Sequence, residues 1–463
     1  MPDNKENLMD KIVSLAKRRG FIYPGSDIYG GLANTWDYGP IGVELKNNIK
    51  QAWWKMFVKD RSDVVGIDAA IFMNKKVWEA SGHVAGFNDA LIDCKGCKAR
   101  LRADHLIEDA LKIKVEGMSL ENITKIIKDN KVKCPLCGKT DYTDTRKFGL
   151  MFKTNQGVVE NENSIIYLRP ETAQAMFVNY KNVLNSTNQK VPFGMAQIGK
   201  AFRNEITPGN FIFRTVEFEQ MEIEFFIEEA EWEKWFLYWQ NKMEEWLKLV
   251  GVKKENYSIR EHGKDELCFY SKKTVDFEYN FPFGTKELYG LAYRTNYDLT
   301  NHQKFSGQNM EYFDTEKNIK YIPHVIEPTF GVDRGLLAIM VDAYTEEEAP
   351  TASGGSETRV VMKFKKNMAP VKVAILPLSK KEELSKKAKE IFELVKCEFT
   401  ANYDETQSIG KRYRRQDEIG TPYCVTVDFD SLDDNAVTIR DRDTMKQERV
   451  KIGELVEWLK SAF

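Results

Sequence analysis

The chain has 463 residues, 42% of them apolar, which suits two to three domains with substantial cores and excludes a disordered chain. Lys plus Arg number 68 against 70 Asp plus Glu, so overall charge carries no nucleic-acid signature and any basic surface has to be local. With 30% charged residues and no apolar run approaching about 18 residues, nothing in the sequence spans a bilayer.

The first twenty residues interleave charge with Leu8, Ile12, Leu15 and Ala16 at helical spacing, and they lack the apolar stretch and small-residue cleavage site of a signal peptide. The expectation is a soluble, cytoplasmic protein with no membrane contact. Next come two CxxC pairs, Cys94–Cys97 and Cys134–Cys137, separated by 36 residues. Each pair is a knuckle that directs two thiolates at one point, and two knuckles supply the four ligands of a structural zinc with no open position for catalysis. Two unmetallated pairs of ordinary thiols are the competing reading. Residues 101–133 between them carry a charged, helix-like pattern, so the unit reads as an insertion clipped at its base. Cys268, Cys397 and Cys424 lack such partners and are expected to be buried small residues, and the five histidines form no metal-binding spacing.

Strand-like runs follow at residues 164–168, 194–198, 211–213, 217–226 and 325–330. Residues 202–224 read as a hairpin turning through Thr207, Pro208, Gly209 and Asn210. On its second strand the period of two places Phe218, Gln220, Glu222 and Glu224 on one face and Met221, Ile223, Phe225 and Ile227 on the other. Arginines on a sheet beside acids are often a structural ion-pair network. Over residues 231–250, Trp232, Trp235, Phe236, Trp239, Met243, Trp246, Leu247 and Val250 fall at i, i+3, i+4 spacings, which favours core packing over base stacking. Residues 346–357 are small and polar and read as a surface loop or linker. Beyond it, a strand at 371–376, a charged amphipathic helix at 380–395 and a strand at 423–429 suggest a compact α/β domain. Lys411, Arg412, Arg414 and Arg415 form a short basic run within it, an ordinary solvated helix face unless the domain meets nucleic acid.

Five blocks, in order, carry a more specific signal: GLANTWDYGPIGVELKNN, LRPETAQAMF, the hairpin from Arg203 to Glu222, EPTFGVDR, and SIGKRYRRQDEIGTPYCVTVD. Together they resemble the glycyl-tRNA synthetases of the homodimeric, single-chain kind, within the class II aminoacyl-tRNA synthetases, and the likeness runs over nearly the whole chain. It implies a mixed α+β fold, with an antiparallel active-site sheet flanked by helices and a C-terminal α/β anticodon-binding domain. Residues 1–360 would form the catalytic domain, with insertions at about 88–160 and about 229–320, and residues 361–463 the anticodon-binding domain.

The implied activity is ATP-dependent ligation of glycine to tRNA(Gly) through a glycyl-adenylate, with Mg²⁺ accompanying ATP and a homodimer assembled around Gly39, Pro40, Ile41 and Gly42. By resemblance, Arg203 would hold the α-phosphate and the amino-acid carboxylate, and Arg214 and Arg334 the terminal phosphates, so Arg203 and Arg334 would carry catalysis. Glu205 would accept from the adenine amino group, Phe218 would stack on the base, and Glu287 would hold Mg²⁺. Asn204, Phe213, Thr215, Val216, Glu217, Leu288, Gly331, Val332 and Asp333 complete the expected ATP site. Glycine's ammonium would meet Glu171, Glu222 and Glu327, with Arg102, Phe218, Glu219, Gln220, Met221, Pro328, Thr329, Phe330 and Gly331 around it. Thr329 stands where the family usually has Ser, keeping the hydroxyl and adding a methyl group that makes the pocket tighter. No enzyme nucleophile is needed, because the tRNA 3′ hydroxyl attacks the adenylate. The basic run would contact tRNA phosphate, and residues between 229 and 320 the acceptor stem. The alternatives are a non-catalytic synthetase-like nucleic-acid-binding subunit, which would have lost Arg203, Glu205, Arg214 and Arg334, and a ligase for another small amino acid, which gives no reason for Glu171, Glu222 and Glu327 to occur together.

Overall fold

A computed structural model describes residues 4–113, 115, 118–162, 164–206, 209–268, 270–350 and 354–463. Its centre is a seven-stranded sheet built from β1 (Val64–Gly66), β2 (Phe193–Phe202), β3 (Glu217–Ile227), β4 (Tyr257–Glu261), β5 (Lys273–Phe281), β6 (Gly284–Thr295) and β7 (His324–Gly331). The spatial order is β4-β5-β6-β7-β3-β2-β1, antiparallel throughout except for the parallel pairing of β1 with β2. The expected hairpin is β2–β3, with Phe202 opposite Glu217 and Gln197 opposite Glu222. Two of its turn residues, Thr207 and Pro208, lie outside the described residues.

The alternation on β3 follows the pattern of its side chains: Met221, Ile223, Phe225 and Ile227 enter the main core while Phe218, Gln220 and Glu222 face a cavity. Covering the core face are α1 (Pro40–Trp54), α2 (Trp232–Val250) and α3 (Val332–Ala343). The tryptophan stripe of α2 is packing, as its spacing suggests: Trp239 meets Phe57 and Phe225, and Trp246 meets Phe330. Close approach fixes one glycine, since a Cβ on Gly42 in the first turn of α1 would sit 1.8 Å from the Phe21 carbonyl oxygen. Residues 229–320 supply α2 and strands β4 to β6, so that stretch contributes three of the seven strands of the central sheet. The Phe211–Phe213 run, expected as a strand, is a single 3-10 turn, with Phe211 held at φ 61°.

The stretch around the CxxC pairs does form a separate unit. Asn88–Asp93, Arg100–Arg102 and Arg146–Gly149 make a three-stranded sheet, and two short helices, Ala103–Leu111 and Leu120–Asp129, close a small core over it. Residues 346–357 are not a plain linker: Tyr344–Pro350 and Ser356–Met362 pair as an antiparallel hairpin, with residues 351–353 outside the described residues. Buried Arg359 explains the pairing, since it donates to Glu347 across the hairpin and to Asp417 in the following unit.

That C-terminal unit is a five-stranded sheet of β8 (Val373–Pro377), β9 (Ala401–Tyr403), β10 (Tyr423–Val427), β11 (Ala436–Asp441) and β12 (Gln447–Lys451), in the order β9-β8-β10-β11-β12. Two helices, α4 (Glu382–Val395) and α5 (Ile409–Ile419), flank it. The basic run lies on α5 and does not present four cations to solvent. Arg412 is buried and donates to the carbonyls of Pro377, Leu378, Asp404 and Gln407, Arg415 pairs with Asp404, and Arg414 pairs with Glu357 and Asp417. A guanidinium with five fixed donors suits such a carbonyl cluster, and the charge pattern alone does not distinguish this use from phosphate contact.

Candidate active site

The open side of the central sheet holds a cavity of about 410 Å³. Four strands and one helix start deliver its charges: Arg203 from the end of β2, Glu222 from β3, Glu287 from β6, Glu327 from β7 and Arg334 from the first turn of α3. Residues far apart in sequence converge because antiparallel neighbours in register place alternate side chains on one face.

One end of the cavity is cationic. Arg203 is anchored by its Nε donating to the Pro170 carbonyl at 3.0 Å, and its guanidinium lies 5.3 Å from the ring centres of both Phe87 and Phe218. Arg334 donates from Nε to Phe213 O at 3.3 Å, sits 4.5 Å over the Phe213 ring, and reaches Glu287 Oε2 at 3.3 Å. Glu287 is half-exposed, and although the cavity walls partly desolvate it, Arg334 and then Arg203 hold its carboxyl below the usual range. Arg214 faces Glu205 at 3.8 Å. Asp333 does not point its charge at a ligand: it accepts from Tyr38 and from the Glu219 backbone N–H and pairs with buried Lys46 at 3.0 Å. Segments distant in sequence are thereby tied together beside Arg334.

The other end is anionic. Glu171, Glu222 and Glu327 line it together with Thr329, whose hydroxyl donates to Glu222 Oε1 at 2.9 Å. Thr172 donates to the other Glu222 oxygen. Arg294 lies beneath, donating to Glu327 Oε1 at 2.7 Å and to both oxygens of Asp298 at 2.9 and 3.1 Å. Gln174 bridges Glu171 and Asp298. His83 Nε2 lies 3.4 Å from Glu171 Oε2, and against the effect of burial it holds that carboxyl well below its ordinary value. Burial, then the neighbouring Glu171, pushes Glu222 up. Burial lifts Glu327 to about 8, with Arg294 opposing and Glu222 and Glu171 adding to the rise. Several acids around one buried arginine leave an excess of negative charge, which a small cation entering the cavity would relieve.

Of the residues expected at the site, Arg203, Glu205, Phe213, Arg214, Thr215, Phe218, Glu219, Gln220, Glu171, Glu222, Glu287, Leu288, Glu327, Thr329, Gly331, Asp333 and Arg334 line this one cavity. Others do not. Met221, Phe330 and Val332 point into the core, and Pro328 shares the buried side of β7 with Phe330. Arg102 stands outside the lining, its guanidinium taken by Asp89 at 3.2 Å and by Asp104. Glu217 is exposed and pairs with Lys200, while Asn204 and Val216 meet the site's frame through backbone hydrogen bonds to Leu150 and Arg203. Sequence reasoning missed Arg294, Asp298, His83 and Phe87, since each acts through contacts made across the fold and none sits in a local pattern. It also misjudged two cysteines: Cys268 and Cys397 are exposed, Cys268 at the cavity wall, and only Cys424 is buried.

The four cysteines of the CxxC pairs do converge, with Cys94 Sγ 3.5 Å from Cys137 Sγ and Cys97 Sγ 3.8 Å from Cys134 Sγ. A tetrahedral zinc with Zn–S bonds of about 2.3 Å needs sulfurs about 3.8 Å apart, so the donor set fits that ion. The knuckles are alike in backbone: Lys98 N–H donates to Cys94 O and Gly138 N–H to Cys134 O, both from positive φ. Among the described residues, no helix is long and apolar enough to cross a membrane.

Comparison with known proteins agrees with this geometry. Residues 152–344 match the tRNA synthetase class II core domain (G, H, P, S and T), and residues 372–462 match an anticodon binding domain. The chain is 58% identical to a glycine–tRNA ligase of Clostridium acetobutylicum over 98% of both chains. It is 58% identical to the one from Acetivibrio thermocellus, again over 98% of both, and 58% identical to the one from Caldanaerobacter subterraneus over 97% of both.

Proposed function

Because the chain belongs to the glycine–tRNA ligases, class II synthetases that join glycine to tRNA at the expense of ATP, we propose that the cavity on the central sheet is where glycyl-adenylate forms. The observation that carries this reading is the gathering, in one cavity, of the guanidinium groups of Arg203, Arg214 and Arg334 with the carboxylates of Glu171, Glu222 and Glu327. Arg203, held between two aromatic rings, presents its remaining N–H donors to the α-phosphate and the glycine carboxylate, bringing two anions together while charge builds on phosphorus. Arg334 and Arg214 take the outer phosphates, Phe218 stacks on adenine, and Glu205 accepts from the adenine amino group. Mg²⁺ arriving with ATP would neutralise the phosphates further, and Glu287, half-exposed beside Arg334, is the carboxylate suited to hold it. Glu171, Glu222 and Glu327 receive the ammonium. Selectivity beyond the about 1–3 kcal/mol that one absent methylene contact gives requires walls that exclude a Cβ.

The finer assignments rest on the same reading. Residues 1–360 form the catalytic domain and residues 361–463 the anticodon-binding domain, and zinc is held at Cys94, Cys97, Cys134 and Cys137 as a structural ion. A four-thiolate site suits a reducing compartment, in keeping with a cytoplasmic enzyme. The assembly is a homodimer, supported by the apolar side chains of Ile28, Tyr29 and Leu32, which are 89%, 86% and 64% exposed beside the Gly39–Gly42 segment. Glycine-dependent exchange of pyrophosphate into ATP tests the activity: wild-type exchange should exceed that of Arg203→Ala by at least about a hundredfold, the scale of removing one transition-state donor. Equal rates would reject the assignment.

A further inference from the structure

Beneath the carboxylate end lies an acid that the reading above does not use. Glu224 is two residues beyond Glu222 on the same face of β3, is fully buried, and is absent from the cavity lining. Among the described residues, neither carboxyl oxygen has a hydrogen-bond partner. Glu222 pairs with Thr329 and Phe225 with Ile326, so the register sets Glu224 opposite Glu327, and oxygens of Glu222, Glu224 and Glu327 lie within 4.8 Å of one another.

An anion cannot persist there. A buried carboxylate needs donors or a counter-ion, and like charges facing each other across a strand pair repel. The facing charged groups are Glu327 on β7, Glu222 on β3, Arg294 on β6 and Asp298 on the helix after β6, and the lone cation is already shared between Glu327 and Asp298. Of the opposed pair, Glu327 has Arg294 as its partner and Glu224 has none. We propose that Glu224 is a neutral carboxylic acid whose O–H donates to Glu327 once that group is ionised to receive glycine, making it a positioning residue that fixes the oxygen offered to the glycine ammonium. Burial followed by the neighbouring Glu327 pushes the Glu224 carboxyl well above its ordinary value, in agreement. The pocket then presents a glycine-binding carboxylate held from two sides, by a guanidinium and by a neutral acid, at one charge less than its count of acids.

The proposal rests on Glu327 as an ammonium ligand, and the experiment separates the two claims. Steady-state pyrophosphate exchange is measured for wild type, Glu224→Gln, Glu224→Leu and Glu327→Gln, with an infrared difference spectrum of wild type minus Glu224→Gln. Glutamine is a neutral donor of the same shape, so Glu224→Gln should keep the glycine KM within about threefold. Glu224→Leu, lacking the donor, should raise it by about tenfold or more with the ATP KM unchanged, the scale of one charge-assisted hydrogen bond. The difference spectrum should contain the C=O stretch of a protonated carboxyl. A glycine KM raised as much in Glu224→Gln as in Glu224→Leu, or no protonated-carboxyl band, overturns the proposal. The spectrum reads folded protein, so poor folding of Glu224→Leu leaves the question answerable. An unchanged glycine KM in Glu327→Gln would instead fault the site reading itself.

Discussion

Among the described residues Arg294 is the cation under the carboxylate end of the cavity, and replacing it by Met tests how the site is held together. Its side chain is 2% exposed, makes three charge-assisted hydrogen bonds to Asp298 and Glu327, and lies 4.1 Å over the Tyr270 ring. Removing one partner of such a buried pair costs about 3–5 kcal/mol because the other charges remain without it. The cost depends on pH in a definite direction. Glu327 titrates at about 8 in the folded protein, above its unfolded value, so its contribution to stability is present at low pH and is lost as pH rises through about 8. Without Arg294 the folded value moves higher still, so the variant keeps losing stability where wild type has levelled off. At pH 6 Glu327 is protonated in both proteins, and the deficit reduces to the lost bonds with Asp298. Urea unfolding followed by the fluorescence of the α2 tryptophans should therefore show a midpoint deficit at pH 6 that widens at pH 9, with little change in slope. A deficit below about 1 kcal/mol at pH 9, or one independent of pH, would refute the reasoning.

The same carboxyl predicts a substrate effect: below about 8 Glu327 must give up its proton to receive an ammonium, so the glycine KM should fall as pH rises from 6 to 8, by at most about tenfold per pH unit, with the ATP KM nearly flat. A glycine KM that rises over that range contradicts the assigned sign. Metal analysis should find about one zinc per chain and none in Cys134→Ser, with residues 88–149 becoming sensitive to protease in that variant. A wild-type chain that is active and metal-free would remove the zinc claim. Arg412→Ala leaves the buried carbonyl of Pro377 and the partly buried carbonyl of Leu378 without this donor and should destabilise the C-terminal unit by about 3 kcal/mol or more, whereas Lys411→Ala should leave stability unchanged and weaken only salt-sensitive tRNA binding. Wild-type stability in Arg412→Ala would restore the phosphate-contact reading of that side chain.

Patterns of period two and period 3.6 were readable wherever a single face is buried. The β2–β3 hairpin, the tryptophan stripe of α2 and the strand–helix–strand order of the C-terminal unit follow from them. The hairpin at 344–362 was not readable, because its strands are polar and their pairing depends on Arg359 reaching Asp417, a contact invisible to local composition. At the site, motif blocks located residues that line one cavity but overreached along each strand: alternation turns Met221 and Phe330 into the core even though their neighbours line the cavity. The residues that hold the cavity-lining carboxylates, Arg294, Asp298 and His83, come from separate segments and meet only when the sheet and its covering loops are assembled.

The central claim is that gathered carboxylates, and not shape alone, capture glycine. Glycine and ATP saturation of pyrophosphate exchange in Glu222→Gln tests it most directly, because the amide keeps the size of the side chain while removing its charge. The account predicts a glycine KM raised by about thirtyfold or more, corresponding to about 2–5 kcal/mol for a buried charge pair, with the ATP KM unchanged. A variant with the wild-type glycine KM would contradict it.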